Sequence, residues 1–117
     1  MKKHIFIAGK VQNVGYRYWL YKEAIQRNVS GWVKNNATGE VEALIIGNDM
    51  DINNLIKLCK KGPPLSKVTK IKVQNYEKEF IKKSFNIISA YFFMFILTRE
   101  IISNITDAAT IDVMLLG

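Results

Sequence analysis

Residues His4–Leu20 read HIFIAGKVQNVGYRYWL, and three kinds of segment follow one another in that stretch. Lys3–Ala8 is apolar and rich in β-prone residues, which predicts a short strand. Tyr16, Trp19, Leu20 and Ala24 then recur at i, i+3, i+4 and i+8, one face of a helix that should end near Asn28. Between them lies Gly9–Arg17, GKVQNVGYR, with two glycines, no acid, and an arginine where the helix begins.

Working outward, Ser30–Asn35 (SGWVKN) reads as a second strand, and Asn36-Ala37-Thr38-Gly39 as a turn. Glu40–Ile46 alternates Glu40 and Glu42 with Val41, Ala43 and Ile45, so it completes a hairpin. Asn48–Lys61 is the next helix. Asn48, Asp49 and Asp51 crowd its start, where acids suit the positive end of the helix dipole, and Ile52, Leu55, Ile56 and Cys59 form its apolar stripe. Gly62-Pro63-Pro64 stops it. Val68–Gln74 alternates Thr69, Ile71 and Val73 with two lysines, a strand with one wet face, and a last short strand falls at Ser84–Ile88. The order β-α-β-β-α-β plus a terminal strand predicts an α+β, ferredoxin-like two-layer sandwich: an antiparallel sheet with two helices on one face.

That topology has a consequence for Gly9–Arg17. A strand, a crossover helix and a second strand return the chain in the same direction. The C-terminal ends of the first two strands and the N-terminus of the first helix therefore share one edge of the sheet. The loop, Arg17 and Asn35 are expected at the same end of the molecule. A helix N-terminus presents unpaired N–H groups and a positive dipole end, which favours an anion. Gly9 and Gly15 allow neighbouring amides to converge on it, and Arg17 adds a planar fork for two phosphate oxygens. Taken alone, the loop is equally an ordinary strand-to-helix connection; its joint placement with Asn35 gives it weight.

Composition narrows the alternatives. The chain of 117 residues has a 49% hydrophobic share and a net charge of +7, one domain's worth of sequence with an anionic partner or substrate favoured. The lone Cys59 and lone His4 exclude a disulfide framework, a thiolate metal site and any His-based catalytic pair. Cys59, Trp19 and Trp32 are expected to pack, and His4 to be a surface or satisfied residue. The N-terminal apolar run is cut short by Lys10, too early for a secretory signal, so a cytoplasmic location is expected. An RNA-binding version of this fold would need exposed aromatics on the first and third strands; these supply at most Phe6, and no nucleic-acid partner is expected. Residues 1–89 are read as the folded domain and 90–117 as an apolar C-terminal extension. Its AYFFMFIL run is broken by Thr98-Arg99-Glu100, short of the roughly 18–20 residues a spanning helix needs, so no membrane partner is expected.

These motifs resemble those of the acylphosphatase family. GKVQNVGYR is similar to the family loop G-R-V-Q-G-V-x-F/Y-R, and SGWVKNNATGEVE to its G-W-V-x-N-x-x-x-G-x-V-E segment. GPPLSKV and SFNII also fit, and the likeness covers residues 3–88. The resemblance implies hydrolysis of small-molecule carboxyl-phosphate anhydrides, without metal or cofactor. It implies that Arg17 binds the phosphoryl oxygens, that Asn35 orients the attacking water, and that the amides of Val11, Gln12, Asn13, Val14, Gly15 and Tyr16 form the phosphate cradle. The alternative is a non-catalytic phosphate-binding module of the same fold. Lys10, Asn13 and Thr38 depart from the family pattern. Asn13 matters most, because it replaces a glycine where positive φ is expected, and asparagine is the best non-glycine substitute there. Residues 90–117 have no counterpart in the family pattern.

Overall fold

The structure, a computed structural model, describes residues 1–80 and 83–89; the expected C-terminal extension, 90–117, lies outside the described residues. The elements are β1 (Lys2–Lys10), α1 (Tyr16–Gln26), β2 (Ser30–Asn35), β3 (Val41–Ile46), α2 (Asp49–Lys61), β4 (Lys67–Asn75) and β5 (Phe85–Ile88). The strands form one sheet in the order β4-β1-β3-β2-β5.

Local sequence accounts for where each element starts and stops. The first helix ends in a Schellman motif. The Val29 amide donates to the Ala24 carbonyl at 2.9 Å and the Asn28 amide to that of Ile25 at 3.2 Å, with Asn28 in the left-handed region at φ 54°. The second helix opens on Asn48, whose Oδ1 accepts the Asp51 amide at 2.8 Å, and closes where the Gly62 amide donates to the Leu58 carbonyl. β1 runs two residues beyond Ala8 because a bulge at Ala8/Gly9 re-aims its end against β4. A Cβ at Gly9 would come within 2.1 Å of the Lys67 carbonyl oxygen, so only glycine lets the two strands meet there.

β1 and β2 both pair antiparallel with β3 and therefore run in the same direction, as the crossover requires. β4 pairs antiparallel with β1 on the other side. The antiparallel sheet expected from the sequence thus holds for four strands, whereas β5 adds to β2 in parallel. The reason is the path of the chain. β4 ends beside the start of β1, where the Tyr76 amide donates to the Lys2 carbonyl at 3.1 Å. The connection then passes to the opposite edge, and β5 runs back alongside β2, bringing Ile87 to the end of the sheet where β2 finishes.

The alternation in the strands selects the buried face. Ile5, Ile7, Val33, Val41, Ala43 and Ile45 face both helices and are fully buried, together with Leu20 and Ala24 of α1 and Ile52, Leu55 and Cys59 of α2. The opposite face carries the cross-strand neighbours His4, Leu44 and Trp32. His4 is satisfied there, its Nε2 lying 2.8 Å from Glu42 Oε2. Trp19 packs against the core and Trp32 stays half-buried beside His4, so neither ring is a free stacking platform.

Candidate functional site

Asn13 sits at φ 61° and Gly15 at φ 78°, both in the left-handed region, and these two residues turn the chain from β1 into α1. The positive φ expected at the position of Asn13 is present, in a residue that tolerates it better than other side chains. Gly15 is the N-cap of α1. It has no side chain to donate to, the helix receives no side-chain cap, and its first turn carries no acid. The first intrahelical bond runs from the Trp19 amide to the Gly15 carbonyl at 3.0 Å. The amides of Tyr16, Arg17 and Tyr18 therefore have no intrahelical acceptor, and they lie at the positive end of the helix dipole.

A cleft of about 200 Å³ opens at this point. Six of the eight residues singled out from the sequence line it: Val11, Asn13, Gly15, Tyr16, Arg17 and Asn35. Gln12 and Val14 belong to the same loop but do not line the cleft. Arg17 and Asn35, 18 positions apart in sequence, thus share one small concavity, as the crossover topology requires. Tyr18 and Ile87 complete the wall and were not singled out beforehand.

Two polar groups in the cleft lack partners. Arg17 is half-buried and makes no salt bridge or side-chain hydrogen bond among the described residues, whereas Arg27 at the other end of the same helix is held by Glu23. Asn35 Oδ1 is buried and accepts no hydrogen bond among the described residues. A buried acceptor left unpaired costs about 1–3 kcal/mol, so an orphan of this kind calls for a hydrogen-bond donor from beyond the described residues.

The side chain of Gln12 has a different job. Its Nε2 donates to the backbone carbonyls of Asn36 and Glu40, both at 2.9 Å. Those carbonyls belong to the turn that follows Asn35. That turn is itself organised by Asn36 Oδ1, which accepts the Thr38 and Glu40 amides at 3.2 and 2.9 Å. Gln12 therefore ties the loop that would cradle an anion to the strand end that carries Asn35. Nothing local in the sequence reveals this brace, because its partners lie 24 and 28 residues away.

Tyr16 contributes its backbone to the loop while its ring belongs to the core. The ring is 1% exposed and its hydroxyl donates to the Cys59 carbonyl at 2.6 Å. Burial pushes the Tyr16 phenol well above its ordinary range and the Cys59 thiol up to about 12. Neither group is available as an acid, a base or a nucleophile near neutral pH. The chemistry of the cleft is left to amide donors, a guanidinium and a carboxamide, a set suited to holding and orienting a phosphoryl group.

Comparison with known proteins agrees with this geometry. The family model for Acylphosphatase matches residues 3–87. An acylphosphatase of Alcanivorax borkumensis is 43% identical over 72 residues, spanning 62% of this chain and 78% of that protein. One of Moorella thermoacetica is 32% identical over 90 residues, spanning 77% of this chain and 96% of the relative. The crystal structure of acylphosphatase from Bacillus subtilis superposes with a TM-score of 0.71 at 37% identity, covering 74% of this chain and 97% of that one. Matched by the family model over residues 3–87 and similar in sequence and fold to these acylphosphatases along most of their length, the chain belongs to the acylphosphatase family.

Proposed function

We propose that this chain hydrolyses carboxyl-phosphate anhydrides to a carboxylate and inorganic phosphate, with Arg17 and Asn35 as the catalytic side chains and no metal in the reaction. The observation that carries this reading is the buried Asn35 Oδ1, without a partner among the described residues, in the same cleft as Arg17, likewise unpaired among them, and the uncapped start of α1. The phosphoryl oxygens rest on the loop and first-turn amides from Val11 to Tyr16 and on the Arg17 fork. Asn35 Oδ1 accepts a hydrogen bond from a water molecule and so aims the water's lone pair at phosphorus. The water oxygen bonds to phosphorus, the bond from phosphorus to the carboxyl oxygen breaks, and the acyl group leaves as a carboxylate with the bonding electrons. The water's proton passes to phosphate or solvent.

A carboxylate is a good leaving group, so this bond needs little general acid catalysis. Positioning and charge stabilisation suffice for such an in-line transfer. The residue inventory matches that demand, since the cleft offers donors and a cation.

The test is phosphate release from an aryl acyl phosphate in the presence of a chelator. Turnover is expected in the wild-type protein. Asn35→Ala is expected to lose roughly 10²–10³ in kcat, the effect of removing one positioned polar group. Arg17→Lys is expected to fail badly because a point charge does not replace the fork. Near-wild-type rates in both variants would overturn the assignment, and phosphate binding without turnover would make the chain a binding module.

A further inference from the structure

The phosphate cradle leaves one wall of the cleft unused, and that wall is apolar. Tyr18 and Ile87 line it from α1 and β5 and are 60% and 40% exposed, large hydrophobic side chains held at the lip of a polar site. An exposed tyrosine on the first turn of a helix would ordinarily swing freely. Tyr18 is instead the outer rung of an aromatic ladder. Its ring stacks on Tyr21 at 6.2 Å between centroids and 23° between planes, and Tyr21 in turn contacts the buried Phe85 at 6.4 Å. Lys22 Nζ lies 5.6 Å from the centre of the Tyr18 ring and steadies it further. Phe85 and Ile87 both stand on β5, so the same short strand anchors the inner end of the ladder and supplies the second apolar side chain.

We infer that Tyr18 and Ile87 form the subsite for the acyl group, and that the substrates this chain prefers are acyl phosphates with a planar, apolar acyl group such as an aromatic ring. This assignment rests on the acyl-phosphate reading above and adds the part of the substrate that the cradle does not touch. A phosphate held by amides and Arg17 has its acyl substituent pointing out of the cleft. The fixed aromatic face and the aliphatic side chain at the lip offer it stacking and burial, and they offer little to a small or charged acyl group.

The experiment compares kcat/KM for benzoyl phosphate and acetyl phosphate in wild-type protein and in Tyr18→Ala, Tyr18→Phe and Ile87→Ala. The benzoyl-to-acetyl ratio should fall roughly three- to tenfold in Tyr18→Ala, the size of one lost aromatic contact. It should be retained in Tyr18→Phe, which keeps the ring, and should fall by a smaller factor in Ile87→Ala. Inhibition by inorganic phosphate reads the cradle alone and should stay within about twofold in Tyr18→Ala. If Tyr18→Ala slows both substrates equally, or leaves the ratio where it was, the subsite is overturned while the hydrolase reading stands. A wild-type protein that turns over neither substrate overturns both.

Discussion

Helix α2 begins at Asn48, whose side chain caps the Asp51 amide, and it carries Asp49 and Asp51 in its first turn and Lys60 and Lys61 in its last. Helix α1 begins at Gly15, with no side-chain cap, no acid in its first turn and no base in its last. Both helices lie on the same face of the same sheet, and both bury an apolar stripe against it. At its N-terminus α2 has the side-chain cap and the acids that stabilise a helix start, and α1 forgoes both. A capped N-terminus has already used the amides and the field that an anion would use. The missing cap on α1 leaves that end of the molecule open to the phosphate proposed above, while the N-terminus of α2, none of whose residues lines the cleft, is free to be stabilised.

Making α1 start like α2 should therefore have the largest effect. Gly15→Asp places a carboxylate, and a Cβ at φ 78°, where the phosphoryl group is proposed to sit. Activity should fall by at least 10²-fold, by analogy with the loss of one oxyanion donor, and inhibition by inorganic phosphate should disappear. Retained phosphate inhibition in that variant would show that the anion binds elsewhere.

Cutting the link between the cradle and Asn35 comes next. Gln12→Ala removes two hydrogen bonds at 2.9 Å from the turn after Asn35 without touching the cleft wall. A loss of roughly ten- to 10²-fold in kcat is expected, since small misplacements are costly in reactions that depend on alignment. The change should appear in kcat more than in KM, because the cradle itself is intact; a pure KM effect would make Gln12 a binding residue instead.

Removing the cap from α2 should do the converse. Asn48→Ala is expected to cost about 1 kcal/mol of stability and to lower Tm by about 4–8 °C, measured by thermal unfolding, with kcat/KM unchanged. A fall in activity at constant stability would mean that the start of α2 is coupled to the cleft. The smallest effect is expected from Asn13→Gly. Asparagine already adopts φ 61° there, so stability should move by no more than about 0.5 kcal/mol and activity by no more than about twofold.

Much of this comparison is visible in the sequence. The residues that crowd the start of α2, Asn48, Asp49 and Asp51, fall within four positions, and the empty start of α1 is legible as Val14-Gly15-Tyr16-Arg17 with no acid nearby. Helix and strand periods, the Asn-Ala-Thr-Gly turn and the Gly-Pro-Pro stop are equally local, and the positive φ at Asn13 follows from the residue it replaces in the family loop. The direction of β5 was not legible, because a four-residue strand carries no mark of which neighbour it will join or from which side the chain arrives. The same holds for Tyr18 and Ile87. Each reads as an unremarkable exposed apolar residue until β5 and α1 are brought together at the cleft.

What the sequence determined by itself is the set of elements, their order, the family, and the loop whose composition suits an anion, because propensity, period and turn chemistry act over a few residues. What only the tertiary structure decided is which polar atoms are left over once the chain has folded. Asn35 Oδ1 is an orphan among the described residues because strand pairing buried it without giving it a donor there, and Gln12 is a brace because a turn more than 20 residues away came within 2.9 Å. Satisfaction of buried polar groups is settled by everything packed around them, and no stretch of sequence contains that information alone.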